Sequence, residues 1–309
     1  MPLREVIITN NNSNSNGSGN SGYENLSFSG GGSAYNGNST NSFVTYGGGG
    51  GSNNGNNSSN TENCGKGYIK KLGKCVSVAS LIEDRIKDSL DPCPKAVLEE
   101  LKNCTTNDIS AMLEKLGAGN TYEFNITSGY PQGGTPAQSI HNQSTPFKYT
   151  TIISKDYTDG TKLFKASLIL HETVHVYFMS IIDDFKSKGY PETDYNINSF
   201  PSLFQAYCDK NYPPTNNQSA NAHHKDMADK YVDAISKSLQ EFQTGIAVGI
   251  NEKADQIYLD LAWGGLYNTP IFDATYPSGT DRERILNRKI AEQIGANYNG
   301  QSVIGNPCK

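Results

Sequence analysis

The sequence predicts an α+β fold, dominated by helices with a small sheet, behind a disordered tail. Three observations carry this. Apolar residues recur at spacings of three and four over several stretches after position 75, the mark of helices with one buried face. Two short stretches among them, Tyr122 to Thr127 and Tyr149 to Ser154, are rich in aromatic and β-branched residues and suit strands. Residues Thr9 to Asn63, in contrast, are mainly Asn, Gly and Ser, with only Glu24 and Glu62 charged. Such a composition buries too little apolar surface to offset its chain entropy, so 1–63 is expected to be a disordered low-complexity tail.

In chain order, 64–88 reads as a Cys-containing collar followed by a first helix. The segment from Cys64 to Cys75 (CGKGYIKKLGKC) is rich in turns, and Val76 to Leu90 has helical spacing through Val78, Leu81, Ile82 and Ile86. Asp91-Pro92-Cys93-Pro94 resets the chain and opens residues 89–309, the main domain. A helix is expected from about Lys95 to Asn103. Thr106-Asn107-Asp108 caps the next, which carries Ile109, Met112, Leu113 and Leu116 and stops at Gly117 to Gly119. The two strands follow, separated by a Gly/Pro/Gln/Ser loop. A long apolar helix runs from Lys162 to about Lys188. Tyr190 to Pro214 reads as irregular, with a helical patch near Phe204. A second long helix starts near Ala222, a shorter one spans Asn251 to Trp263 until Gly264-Gly265 break it, and the last runs from about Asp281 to Ile294.

The 309 residues carry a net charge of −5 and show no basic block, which argues against a nucleic-acid partner. Apolar runs fall far short of the roughly 20 residues needed to span a bilayer. The start, Met1 to Thr9, lacks the apolar core of a Sec-type signal. The chain is therefore expected to be cytoplasmic, exported by a non-classical route, or cut from a larger precursor. Six cysteines, Cys64, Cys75, Cys93, Cys104, Cys208 and Cys308, leave the disulfide state open; Cys64 to Cys75 is the natural clasp if pairs form.

The chemistry concentrates in Leu170-His171-Glu172-Thr173-Val174-His175-Val176-Tyr177, an HExxH pattern in an apolar helix. Residues four apart lie one turn apart on one face, so His171 and His175 can bind one ion. Glu172 points about 100° around the helix and can act on water beside that ion as general base. Burying two imidazoles and a carboxylate without a ligand would be costly, and Zn2+ resolves the cost. A third protein ligand is needed. His224 shares a face with Met227, Ala228 and Tyr231 and is favoured; His223, Glu192 and Asp226 stay as alternatives. His141 sits in a polar stretch and reads as solvated. Asp260 is a candidate to orient a ligand histidine through its other ring nitrogen, or else a surface acid. Tyr231 is a candidate donor to an oxyanion, or else a core tyrosine.

With these residues in view, the HExxH segment, His224-Lys225-Asp226-Met227-Ala228 and Asp260-Leu261-Ala262-Trp263-Gly264-Gly265-Leu266 together resemble SprT-like, zincin-type zinc metallopeptidases of Bacteroidota. Asp91-Pro92-Cys93 and Gly305-Asn306-Pro307-Cys308 also resemble that group, and the likeness covers about Ser89 to Lys309. It implies a zincin-like domain with His171, His175 and His224 as ligands and Glu172 as acid/base. Likeness to the better-known SprT and Spartan proteases stops at HExxH plus a later His. Zinc-ribbon cysteines and a basic stretch are missing, so a role on DNA–protein crosslinks does not carry over.

The expected activity is hydrolysis of a protein or peptide substrate by metal-activated water, with Tyr149 to Ser154 as an edge strand that pairs the substrate. The rival readings are an inactive metal-binding module, or an effector or surface protein whose tail joins it to a carrier or delivery apparatus.

Overall fold

The computed structural model describes residues 64–142, 144–188, 200–211 and 220–309; the side chains of 205, 206, 208–211, 220–224, 226 and 227 also fall outside the description. The low-complexity tail expected over 1–63 therefore lies outside the described residues.

The described residues open with a hairpin of β1 (Tyr68–Lys71) and β2 (Lys74–Ser77). Gly73, at φ +81°, takes a backbone conformation that side chains resist, and the Cys64–Cys75 disulfide closes the base. The helix expected over Val76 to Leu90 is shorter than its spacing suggested. It is α1 (Val78–Asp84), flanked by β2 and by β3 (Lys87–Ser89). Strand pairing to distant residues wins here: β3 runs parallel to β4 (Glu123–Gly129), a partner that local periodicity cannot reveal.

Helix α2 (Pro92–Lys102) starts with proline at its first turn, where the missing N–H costs nothing. Helix α3 (Ile109–Leu116) is capped as expected: the Asp108 side chain accepts from Ala111 N, and Gly117 ends it in the left-handed conformation. The loop expected between the two strands contains a third, β5 (Ala137–His141), before β6 (Lys148–Ser154). The sheet order is β3-β4-β6-β5, with β5 antiparallel to β6 and the other pairs parallel. This corrects the edge-strand expectation. Tyr149 to Ser154 lies inside the sheet, and the edge on that side is β5.

Helix α4 (Lys162–Ser187) carries the HExxH segment and matches its expected span. Its N-cap, Thr161, accepts from Phe164 N at 3.0 Å and donates to Glu292 at 2.6 Å. The helix is apolar nearly all round because it is buried nearly all round, from Leu163 and Ala166 to Phe178 and Met179. Next come α5 (Phe200–Asn211), α6 (Ala220–Thr244), α7 (Gln256–Gly265), α8 (Pro270–Thr275) and α9 (Thr280–Ile294). Helix α7 begins later than expected and runs through the glycine pair. Helix α8, capped by Thr269 and opened by Pro270, is an addition.

One core joins α1 to α9, so Val78 and Ile82 of the collar segment share it with α4, α6 and α7. A second disulfide, Cys93–Cys308, ties α2 to the C-terminal segment; Cys104 is free, and Cys208 lies outside the described side chains. The tail also grips α4 directly, since Lys162 N donates to the Asn306 carbonyl at 2.7 Å and Glu292 accepts from Ile304 N and Gly305 N. No helix among the described residues is long and apolar enough to cross a membrane.

Candidate metal centre

Helix α4 brings His171, Glu172 and His175 together, with one ligand atom of each within 4.8 Å of the others. Glu172 and His175 are 5% and 7% exposed, so this is an interior group of polar atoms. Nε2 of His175 is buried and has no hydrogen-bond partner among the described residues. Leaving such an atom unmet costs about 1–3 kcal/mol, a debt that native cores rarely carry without a reason. Two imidazoles and a carboxylate with ligand atoms this close together are a donor set that a borderline-soft divalent cation such as zinc fits.

The neighbours hold each group in place. Ser139, on β5, donates to Glu172 Oε2 at 2.6 Å, and its own oxygen lies 2.6 Å from the Thr151 hydroxyl of β6, which is left to act as donor. His175 Nδ1 lies 3.4 Å from the same Oε2. Both contacts fall on one carboxylate oxygen and leave Oε1 for another partner. Burial pushes the Glu172 carboxyl up, but the adjacent imidazoles and the Ser139 hydroxyl outweigh it and hold the group below its ordinary value. Burial pushes His171 down to about 4, which keeps its ring neutral and able to ligate near pH 7. Phe200 of α5 lies against both rings, with centroids 4.3 Å from His171 and 5.5 Å from His175.

Tyr231 occupies the position that the sequence offered to Asp260. Its hydroxyl is 2.9 Å from Nδ1 of His171, and its side chain is fully buried. Asp260 instead faces α9: Arg284 grips it through two nitrogens at 2.8 and 3.0 Å, and Gln256 donates at 2.8 Å. Both carboxylate oxygens are thus engaged, and neither bonds to His171 or His175. A buried acid within reach of a guanidinium takes the bidentate pair, which is stronger than a single bond to imidazole. The side chains of His224, His223 and Asp226, and all of Glu192, lie outside the described residues. Their backbone, apart from Glu192, belongs to α6, the helix that also carries Tyr231.

His141 departs from its expected solvated state. It sits on β5 with a side chain 2% exposed, and Nε2 lies 2.7 Å from Asp183 of α4. Asp183 also accepts from Tyr149 and from Phe147 N. Strand β5 is therefore clamped to α4 twice, by Ser139 to Glu172 and by His141 to Asp183.

His171 and Glu172 open on a cavity of about 130 Å³, walled by Phe164, Leu168, Phe200, Ile235 and Leu261, with Pro136 and Ala137 at the approach to β5. Gly265 is what allows the close approach on the α7 side. A Cβ there would stand 2.6 Å from the Tyr231 hydroxyl and 3.2 Å from His171 Nδ1. Ser139, Phe200 and Gly265 were not singled out from the sequence as site residues. Only Gly265 left a signal, since two adjacent glycines inside a helix cost about 1 kcal/mol each and mark a tight contact. No protein-family model, curated protein or solved structure matches the chain.

Proposed function

We propose that the protein is a zinc-dependent peptidase of zincin-like architecture that hydrolyses peptide bonds with Glu172 as general base. The observation that carries this reading is the grouping of His171, Glu172 and His175 on α4, in which the buried Nε2 of His175 has no hydrogen-bond partner among the described residues and His171 and Glu172 line a cavity. His171 and His175 would hold the ion, and His224 of α6 is the proposed third ligand. When bound, zinc would lower the pKa of a water molecule toward 7 and polarise a carbonyl.

The chain's own groups account for the rest. With Nδ1 of His171 donating to Tyr231, the lone pair of the ring stays on Nε2, the tautomer that ligation needs. Oε2 of Glu172 is fixed by Ser139, so Oε1 takes the proton of the attacking water and returns it to the departing amine nitrogen. An extended substrate would pair with the edge of β5 that has no strand partner among the described residues, beside the cavity mouth at Pro136 and Ala137.

Two measurements test this. Elemental analysis of the purified chain should find close to one zinc per molecule, falling sharply in His224→Ala. Glu172→Gln should keep the zinc and abolish cleavage of an unstructured protein substrate. A chain that binds no divalent metal, or a Glu172→Gln variant that cleaves at the original rate, would sink the reading.

A further inference from the structure

The β1–β2 hairpin concentrates a charge opposite in sign to that of the whole chain. The net charge is −5, yet between Glu62 and Glu83 the only charged residues are Lys66, Lys70, Lys71 and Lys74. All four are exposed, and none of their ammonium groups has a hydrogen bond or ion pair among the described residues. The register crowds them further. Lys71 stands directly across from Lys74, and like charges in that relation destabilise a strand pair. The Cys64–Cys75 disulfide, one residue behind Lys74, holds the arrangement closed.

The tip carries a second cost. Leu72 and Gly73 form a two-residue loop with φ of +49° and +81°, the pair of positive angles found in a type I′ turn. Asn or Asp suits the first of these positions, because a short polar side chain tolerates the left-handed region; Leu resists it. Leu72 is also 98% exposed, more than any other large apolar residue among those described. Ile69, by contrast, packs on the core, so the hairpin is anchored at its root and bare at its apex. A hairpin that only closed the fold would gain from Asn at 72 and from an acid opposite a lysine. Opposed lysines, a left-handed Leu and its full exposure meet at one tip, and nothing described inside the molecule offsets them.

We propose that this tip docks the protein on an anionic lipid surface. Leu72 enters the boundary between headgroups and acyl chains, while Lys70, Lys71 and Lys74, one or two residues behind it, meet the headgroup phosphates. The layering selects lipid as the occupant. The apolar residue is at the apex and the cations stand behind it, as acyl chains lie beneath anionic headgroups. An acidic polypeptide would answer the lysines and would still need a socket for Leu72. Closure by the disulfide means that little ordering is left to do on contact. The docking is separate from the peptidase reading, since no hairpin residue lines the cavity at His171.

The test is sedimentation of the full-length chain with large vesicles of phosphatidylcholine, either pure or containing about 30% phosphatidylglycerol. At about 0.1 M salt the chain should sediment with the anionic vesicles alone, and about 0.5 M salt should release it. Joint replacement Lys70→Gln and Lys71→Gln should weaken that binding at least about tenfold. Leu72→Asn should weaken it about tenfold, and Leu72→Met should keep it. Leu72→Asn should also leave the urea midpoint at or above the parent's, which separates lost docking from lost folding. Zinc content and cleavage of a soluble substrate should not change in these variants, so the outcome leaves the peptidase reading where it was. No binding, equal binding to both kinds of vesicle, or binding that survives Leu72→Asn or the paired glutamines overturns the proposal. Binding to polyglutamate that matches the vesicles and ignores Leu72→Asn would overturn it in favour of an acidic polypeptide.

Discussion

Two buried glutamates, Glu241 on α6 and Glu172 on α4, show how the same side chain serves two ends. Glu241 is 3% exposed and accepts from Thr105 N, Thr105 Oγ1, Thr106 N, Asn107 N and Asn107 Nδ2, at 2.6 to 3.1 Å. Both of its oxygens are taken, and the loop before α3 is wrapped around it. Glu172 is 5% exposed, has one hydroxyl donor on Oε2 with His175 Nδ1 beside the same oxygen, and lines the cavity next to His171. A carboxylate whose lone pairs are all used is a latch for the fold. One with capacity in reserve, beside other under-used polar atoms, is equipped for chemistry.

Substitution should separate the two most sharply at Glu172. Glu172→Gln is expected to lower the cleavage rate by about 10²–10⁴-fold, the range lost with a general base, while the urea midpoint stays close to the parent's. Glu241→Ala should do the opposite. It strands several buried donors and is expected to cost about 3 kcal/mol in urea unfolding, with the rate per folded molecule unchanged. Burial pushes Glu241 up, but its Thr105 and Asn107 donors outweigh that and hold it below the ordinary value. A lowered carboxylate contributes stability above its unfolded pKa and loses it as the pH falls, so the gap between parent and Glu241→Ala should narrow in acid. If Glu241→Ala abolished activity without unfolding, the distinction between latch and base would be broken.

Gly265→Ala acts on the setting of the site and leaves Glu172 in place. Its Cβ would push on the Tyr231 hydroxyl and then on His171. The expected result is zinc affinity weakened by about 10–100-fold, read by competition with a chelator, with a stability cost of about 1–2 kcal/mol. Unchanged affinity would show that the Tyr231 contact does not position the ring.

The smallest effect sharpens the comparison with a third acid. Glu83 is 8% exposed, and its Oε1 has no hydrogen-bond partner among the described residues. Burial, helped by nearby Asp108, pushes it up to about 7. A raised acid binds its proton more tightly in the folded chain, so its contribution is largest in acid and is lost as the pH climbs from about 4.5 through 7. Glu83→Gln should flatten that slope and raise stability above pH 7 by on the order of 1 kcal/mol, after allowing for solvent screening. Thermal melts from pH 5 to 8 would read it, and parallel curves for the two proteins would refute it.

What could be read from the sequence was what is local. Helix α4 matched its expected span because a threonine cap and a long apolar run lie within the segment itself, and the spacing of His171 and His175 needs only helical geometry. Strand β5, Ala-Gln-Ser-Ile-His, is short and mostly polar; it is a strand because β6 pairs with it, and that partner is not visible in five residues. The same limit hid Ser139, whose role comes from standing opposite Glu172 across a strand-to-helix contact. Asp260 was drawn toward the histidines by its neighbours in sequence, but Arg284, 24 residues on, claims it. The Cys93–Cys308 pair joins positions 215 apart, and no spacing rule connects them.

That last bridge has a topological consequence. Between its two sulfurs the backbone becomes a closed ring that contains β4, β5, β6 and every helix from α3 to α9, with β3 and α1 outside it. A protease nick anywhere inside the ring, for instance in the exposed turn at Asn251 and Glu252, leaves both pieces covalently joined. The cut chain would run as one band on a gel without reductant and as two with it.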